Sequence, residues 1–149
     1  MLIPKKTKYR YNHYPKYEGH AKGNQKLIAA NFSDLGLKTQ KGQGTYVSSN
    51  QIEAARKVIS PFIKKDGGKL WIRIFPHWGK TKKPLEVRMG SGKGSVEKWE
   101  ESVKEETIIF EIRLKEKKNL PKAREVLKQA AYKLPKKKGV KWEVIEKNE

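Results

Sequence analysis

The sequence predicts an α+β domain: a mixed or antiparallel sheet with two packed helices, preceded by an extended basic N-terminal arm. Three observations predict it. Two stretches, Ser48 to Asp66 and Asn119 to Leu134, repeat apolar residues at helical spacing. Lys69 to Phe75 is rich in aromatic and β-branched residues, and Thr107 to Leu114 alternates with a period of two; both are strand signals. Residues 1–26 hold seven cations and one acid, with too little aliphatic material for a core. The order strands, helix, strands, helix, strand suits two helices laid on one sheet. We divide the chain into an arm (1–26), one domain (27–146) and a polar tail (147–149).

In the arm, Lys5, Lys6, Lys8, Arg10, Lys16, Lys22 and Lys26 alternate with Tyr9, Tyr11, Tyr14 and Tyr17. Cations meet phosphate and rings stack on unpaired bases, so this is RNA-binding chemistry. The arm is expected to be disordered when free and to order on RNA. Leu27-Ile28-Ala29-Ala30 and Gly36 to Gln40 read as short strands around an Asn31 to Asp34 turn. Lys41 to Gly44 is another turn, and Thr45 to Val47 a short strand. Ser48 starts the first helix, with Gln51 completing a capping box. Ile52, Ala55, Ile59 and Phe62 or Ile63 form its apolar face. Pro61 is expected to kink or restart it, and Asp66-Gly67-Gly68 to end it.

Lys69 to Phe75 reads as the central strand. Pro76 to Gly79 turns away, and Pro84 to Arg88 reads as a strand leading into Gly90, Gly92 and Gly94. Residues 80–95 then form a cationic, sterically bare loop suited to a polyanion. Arg88 is expected where strand meets glycines, its planar fork able to grip phosphate or a guanine edge. Val96 to Val103 and Thr107 to Leu114 read as a hairpin, with Glu100, Glu101, Glu105 and Glu106 a solvated cluster at its tip. Asn119 caps the second helix, which Pro135 stops. The Lys136 to Lys138 run serves either the helix dipole or RNA. Val140 to Ile145 is a last strand.

Charge narrows the function. The chain of 149 residues carries 35 Lys plus Arg against 16 Asp plus Glu, a net charge of +19. Such an excess opposes compaction, so a polyanionic partner is the economical explanation. It is uneven: residues 1–95 hold 20 cations and 5 anions. No cysteine is present, so disulfides, thiolate metal sites and thiol nucleophiles are excluded. No apolar run nears the roughly 20 residues of a membrane span. The N-terminus does not read as a secretory signal. Gly90, Gly92 and Gly94 fit neither the phosphate loop G-x-x-x-x-G-K-[ST] nor the dinucleotide motif G-x-G-x-x-G. His13, His20 and His77 have no partner at metal-ligand spacing, and no nucleophile elbow G-x-S-x-G appears. We expect no enzyme, metal, cofactor, small-molecule substrate or membrane partner.

Five stretches in order resemble the bacterial-type large-subunit ribosomal protein L16 family. They are Met1-Leu-Ile-Pro-Lys-Lys-Thr-Lys-Tyr-Arg10, Gln51-Ile-Glu-Ala-Ala-Arg-Lys57, Lys69-Leu-Trp-Ile-Arg-Ile-Phe-Pro76, Lys82-Lys-Pro-Leu-Glu-Val-Arg-Met-Gly-Ser-Gly-Lys-Gly94 and Ala130-Ala-Tyr-Lys-Leu-Pro135. The resemblance implies a hammerhead-like β motif and a non-enzymatic protein of the cytoplasmic large ribosomal subunit. Its partners would be 23S rRNA, other large-subunit proteins and the A-site tRNA, with the P-site tRNA left open. Carried onto this chain, rRNA contacts fall to Lys5, Lys6, Lys8, Arg10, His13, Lys16, Lys22, Lys41, Arg56 and Arg73. The loop facing rRNA and tRNA would use Lys80, Lys82, Lys83, Arg88, Met89, Gly90, Gly92, Lys93 and Gly94. Asp34, Pro61 and the excess of 29 Lys over 6 Arg depart from the family pattern. The rival readings are a free-standing RNA chaperone or nucleoid protein and, more remotely, a nucleic-acid hydrolase.

Overall fold

The computed structural model describes residues 2–13, 34–41, 44–136 and 140–146. In chain order the elements are β1 (Leu35–Thr39), β2 (Thr45–Ser48), α1 (Ser49–Asp66), β3 (Lys69–Ile72), β4 (Trp78–Lys82), β5 (Ser95–Val103), β6 (Ile108–Arg113), α2 (Leu120–Ala131) and β7 (Trp142–Glu146). They build two sheets, β3-β6-β1-β7 and β2-β5-β4, and every pairing is antiparallel. The fold is therefore α+β as expected, with two sheets in place of one.

The first sheet is organised around β6. Ile108, Ile109, Phe110, Glu111 and Ile112 are all fully buried, so β6 has no solvent face and is not the half-buried strand its alternation predicts. Lys69 to Phe75, expected at the centre, supplies the edge strand β3 instead. β3 ends at Ile72, although the Arg73 N–H still donates to the Ile109 carbonyl at 2.9 Å. The expected β5–β6 hairpin is also absent: these consecutive strands lie in different sheets. The turn between them is tied to β1 by Thr39, whose Oγ1 donates to the Lys104 carbonyl (2.9 Å) and accepts from the Thr107 N–H (3.2 Å). Consequently Glu100 and Glu101 stand within β5, opposite Ser48 and Val47, rather than at a solvated tip. Glu105 and Glu106 at the turn are half-buried.

α1 begins as its sequence dictates. Ser48 Oγ accepts from the Gln51 N–H at 3.4 Å, and Gln51 Oε1 accepts from the Ser48 N–H at 2.9 Å. Ile52, Ala55, Ile59 and Ile63 are buried, and Gly67 closes the helix by donating to the Ile63 carbonyl. Pro61 does not break it. Its exposed ring costs one backbone hydrogen bond, while the apolar face opposite carries the helix on to Asp66. α2 packs on α1 and against β1 and β7. It ends at Ala131, and tighter i→i+3 bonds run on to Leu134. Asn119 does not cap it: its amide donates instead to Asp66 Oδ1 at 2.6 Å. Asp66 Oδ2 also accepts from the Lys115 N–H at 2.8 Å, so one carboxylate joins the end of α1 to the approach of α2. Both bonds favour its ionised form and hold the carboxyl below its usual pKa. Asp34 has similar work, its Oδ2 accepting from the Leu114 N–H at 2.9 Å. The proposed strand Leu27 to Ala30 lies outside the described residues.

Candidate nucleic-acid interface

β4, where the sequence predicts a turn and the start of a loop, sets where the basic loop stands. Trp78 to Lys82 pairs with β5, with an irregularity between Lys80 and Thr81. This short polar run owes its extended form to that partner rather than to local preference. Pro84 to Arg88 is not a strand. Pro84 has no N–H, and Glu86 has φ of 66°, which is incompatible with extended backbone. Arg88 therefore lies out in the loop, not at a strand junction.

The neck of the loop is fixed by Gly94. A Cβ there would lie 2.5 Å from the Lys82 carbonyl oxygen and 2.9 Å from the Lys83 nitrogen. Gly90 and Gly92 take φ of 91° and 94° in open space and turn the chain at the tip. Lys83 Nζ donates to the Gly90 carbonyl and braces the loop across its width. Lys82 lies 3.5 Å from Glu97 in an exposed pair. Arg88 and Lys93 are exposed, and no ion pair engages Arg88 among the described residues. Leu85 and Met89 are 87% and 100% exposed, so the loop offers apolar as well as cationic groups.

The N-terminal segment joins this loop. Leu2 packs against the core, so residues 2–13 start from an anchored end. Lys93 Nζ lies 5.3 Å from the centre of the Tyr11 ring, and the Arg10 guanidinium 5.4 Å from it. Lys8 Nζ stands 5.3 Å from the Tyr9 ring centre. Two stretches more than eighty residues apart in sequence thus meet, and Lys5, Lys6, Lys8, Arg10 and His13 of the N-terminal segment lie exposed. Lys16 and Lys22 lie outside the described residues.

Other candidate cations sit elsewhere. Arg56 on α1 is gripped by Glu53, Nε to Oε2 at 2.8 Å and Nη2 to Oε1 at 2.5 Å, and this hydrogen bonding lowers the Glu53 pKa. Arg73 is only 10% exposed and forms an ion pair with Glu111, which is fully buried. Its charge is spent inside the fold. Lys41 and Lys80 are exposed.

The rings beside the N-terminal segment are not among the residues the sequence singles out. Phe75 and His77 stack with centroids 6.4 Å apart and planes 15° apart, and His77 meets Trp78 at 6.1 Å. His77 Nδ1 lies 3.2 Å from Glu101 Oε2. Burial raises the Glu101 pKa, and the facing imidazole partly offsets that. Three rings stand within Phe75-Pro-His-Trp78, but Pro76 and Gly79 give the stretch the signature of a turn. Among the described residues no group of His, Asp and Glu is placed to hold a metal ion, and no helix is long and apolar enough to cross a membrane.

Exposed cations and glycines on a small scaffold suit a polyanionic partner, and comparison with known families is decisive. The family model for ribosomal protein L16p/L10e matches residues 4–141. The chain belongs to this family. It is 49% identical over 149 residues to large ribosomal subunit protein uL16 of Spiroplasma citri, covering 100% of this chain and 99% of that protein. It is 50% identical over 151 residues to uL16 of Malacoplasma penetrans, covering 100% and 97%. With uL16 of Mycoplasma pneumoniae it shares 46% over 151 residues, covering 100% and 98%. As a member of the L16p/L10e family the chain is a structural, non-enzymatic component of the ribosome.

Proposed function

We infer that this uL16-family protein is a constituent of the large ribosomal subunit that holds 23S rRNA with one continuous cationic face. Residues 2–13 and the loop between β4 and β5 supply that face. Lysines neutralise phosphates, and glycines let the RNA backbone approach. Arg88, at the far end of the loop, reaches toward the A-site tRNA; the P-site tRNA is a further candidate. The subunit belongs to the cytoplasm. The supporting observation is the contact of Lys93 with Tyr11, which merges the N-terminal segment and the loop into one surface. Arg56 and Arg73 lie outside this face, paired with Glu53 and Glu111, and we assign them no leading part in it.

Crosslinkers placed at position 5 and position 93 test this reading on assembled subunits. Both should mark neighbouring 23S rRNA segments, and a probe at position 88 should mark tRNA when the A site is filled. Arg88→Ala should slow translation more than Lys128→Ala on the exposed face of α2. Rates equal in the two variants, or crosslinks from positions 5 and 93 to distant rRNA regions, would contradict it. Sedimentation apart from the large subunit would favour the free-standing chaperone.

A further inference from the structure

We propose that the groove between residues 4–13 and the β3–β4 connection receives one unpaired RNA base, stacked on Trp78 with its phosphates on Lys6 and Lys8. This deepens the reading above and rests on it, since it assumes that the polyanion is RNA.

The groove has a volume of about 460 Å³, within the usual range of a small-ligand site. Pro4, Lys6, Lys8 and Tyr9 form one wall, and His77 and Trp78 form the other. Phe75 is exposed and stacks on His77, so the second wall continues outward as a shelf of three rings. The shelf is set in place before any ligand arrives: Trp78 is paired in β4 with Glu100, and His77 faces the half-buried Glu101 on β5. A site for phosphate alone needs cations and no rings. An apolar protein side chain would find rings, but would gain little from lysines. A base flipped out of a strand needs both, a flat apolar wall for its face and cations for the backbone that enters and leaves. A paired base has its faces covered and cannot enter. The ligand class is therefore a nucleotide in single-stranded, looped or bulged RNA.

The test compares full-length wild type, Trp78→Leu, Trp78→Phe and Lys6→Ala/Lys8→Ala. Each is titrated with a single-stranded RNA oligomer and with an abasic oligomer of equal length and charge. Trp78→Leu should lose roughly fivefold to a hundredfold in affinity for the base-bearing oligomer, the usual worth of one stacked base. It should bind the abasic oligomer like wild type, and Trp78→Phe should restore most of the loss. The lysine double variant should instead flatten the salt dependence by about 1.4 for its two phosphate contacts on single-stranded RNA, with either oligomer. Equal binding by wild type and Trp78→Leu overturns the proposal, and so does a loss of equal size on both oligomers.

Crosslinking of the unaltered protein keeps the proposal testable should Trp78→Leu misfold. RNA carrying 5-iodouridine should couple to Trp78, His77 or Tyr9. Coupling confined to other aromatic residues overturns the proposal. So does a crosslink from a probe beside Trp78 to a neighbouring protein in the assembled subunit. Unchanged, salt-sensitive rRNA binding with no role for Trp78 would sink the groove alone. Failure to bind rRNA at all would sink the wider reading with it.

Discussion

Arg73 separates a cation that serves the fold from one that serves RNA. Its guanidinium pairs with Glu111, which stands in the middle of β6 and is fully buried. Arg73→Ala would leave that carboxylate in the core without its counter-charge. Breaking a buried pair by removing one partner costs about 3–5 kcal/mol. Against a typical total of about 5–15 kcal/mol, that is a large share of the stability. At about 2–4 °C per kcal/mol for a chain of this size, the melting temperature should fall by roughly 6–20 °C. Replacing both partners with apolar residues of similar length removes charge and counter-charge together. Arg73→Met/Glu111→Leu should therefore lie near wild type or above it. Urea unfolding followed by circular dichroism gives both values, provided the slope with denaturant stays constant. The same double variant should bind rRNA with an unchanged salt dependence, since its pair contributes no net charge outward. A double variant as unstable as Arg73→Ala would refute the reasoning. A salt slope reduced by about 1 would return Arg73 to the RNA face.

Three further outcomes follow from local geometry. Ser48→Ala removes the acceptor of the capping box and should cost about 1 kcal/mol in urea unfolding, with no change in RNA affinity; a cost near zero would mean the cap is idle. Gly94→Ala forces a Cβ to 2.5 Å from a backbone oxygen, so the loop's neck must open, at about 1–3 kcal/mol. Hydrogen exchange at the β4–β5 junction should quicken and rRNA binding weaken, and unchanged exchange would show that the neck is not tight. Glu101 has its carboxyl pKa raised by burial, so the folded state holds that proton more tightly than the unfolded chain does. Its contribution is full below the ordinary carboxylate value of about 4.5 and is lost as pH rises through the folded value. Glu101→Gln should therefore gain stability over wild type near pH 7 and match it near pH 4, whereas a constant difference across that range would contradict this linkage.

Local chemistry was legible. The capping box at Ser48, the glycine stop at Gly67, the second helix and the cationic character of the loop all follow from a few adjacent residues. What the sequence hid was partnership over distance. Phe110 and Glu111 look like the inward and outward residues of a half-exposed strand, yet Arg73, 38 positions away from Glu111, allows Glu111 to be buried too. Trp78 to Lys82 carries no strand pattern of its own and is extended only because β5 lies beside it. β5 and β6 look like a hairpin because they are consecutive, and only the Thr39 bridge to Lys104 and Thr107 shows the chain passing from one sheet to the other. The interface follows the same rule. Its cations were visible one by one, but not that Tyr11 meets Lys93, nor that Arg73 faces inward.

The central claim is that the positive charge of residues 2–13 and of the loop is held for ribosomal RNA. The most direct measurement is the affinity of the purified protein for 23S rRNA across a salt series. Each neutralised phosphate contributes about −0.7 to −0.9 to the slope of log K against log salt, so a face using five or more should give a slope steeper than about −3.5. Lys6→Ala/Lys8→Ala and Lys93→Ala should each make it shallower. A flat slope, or no binding at low salt, would contradict the account.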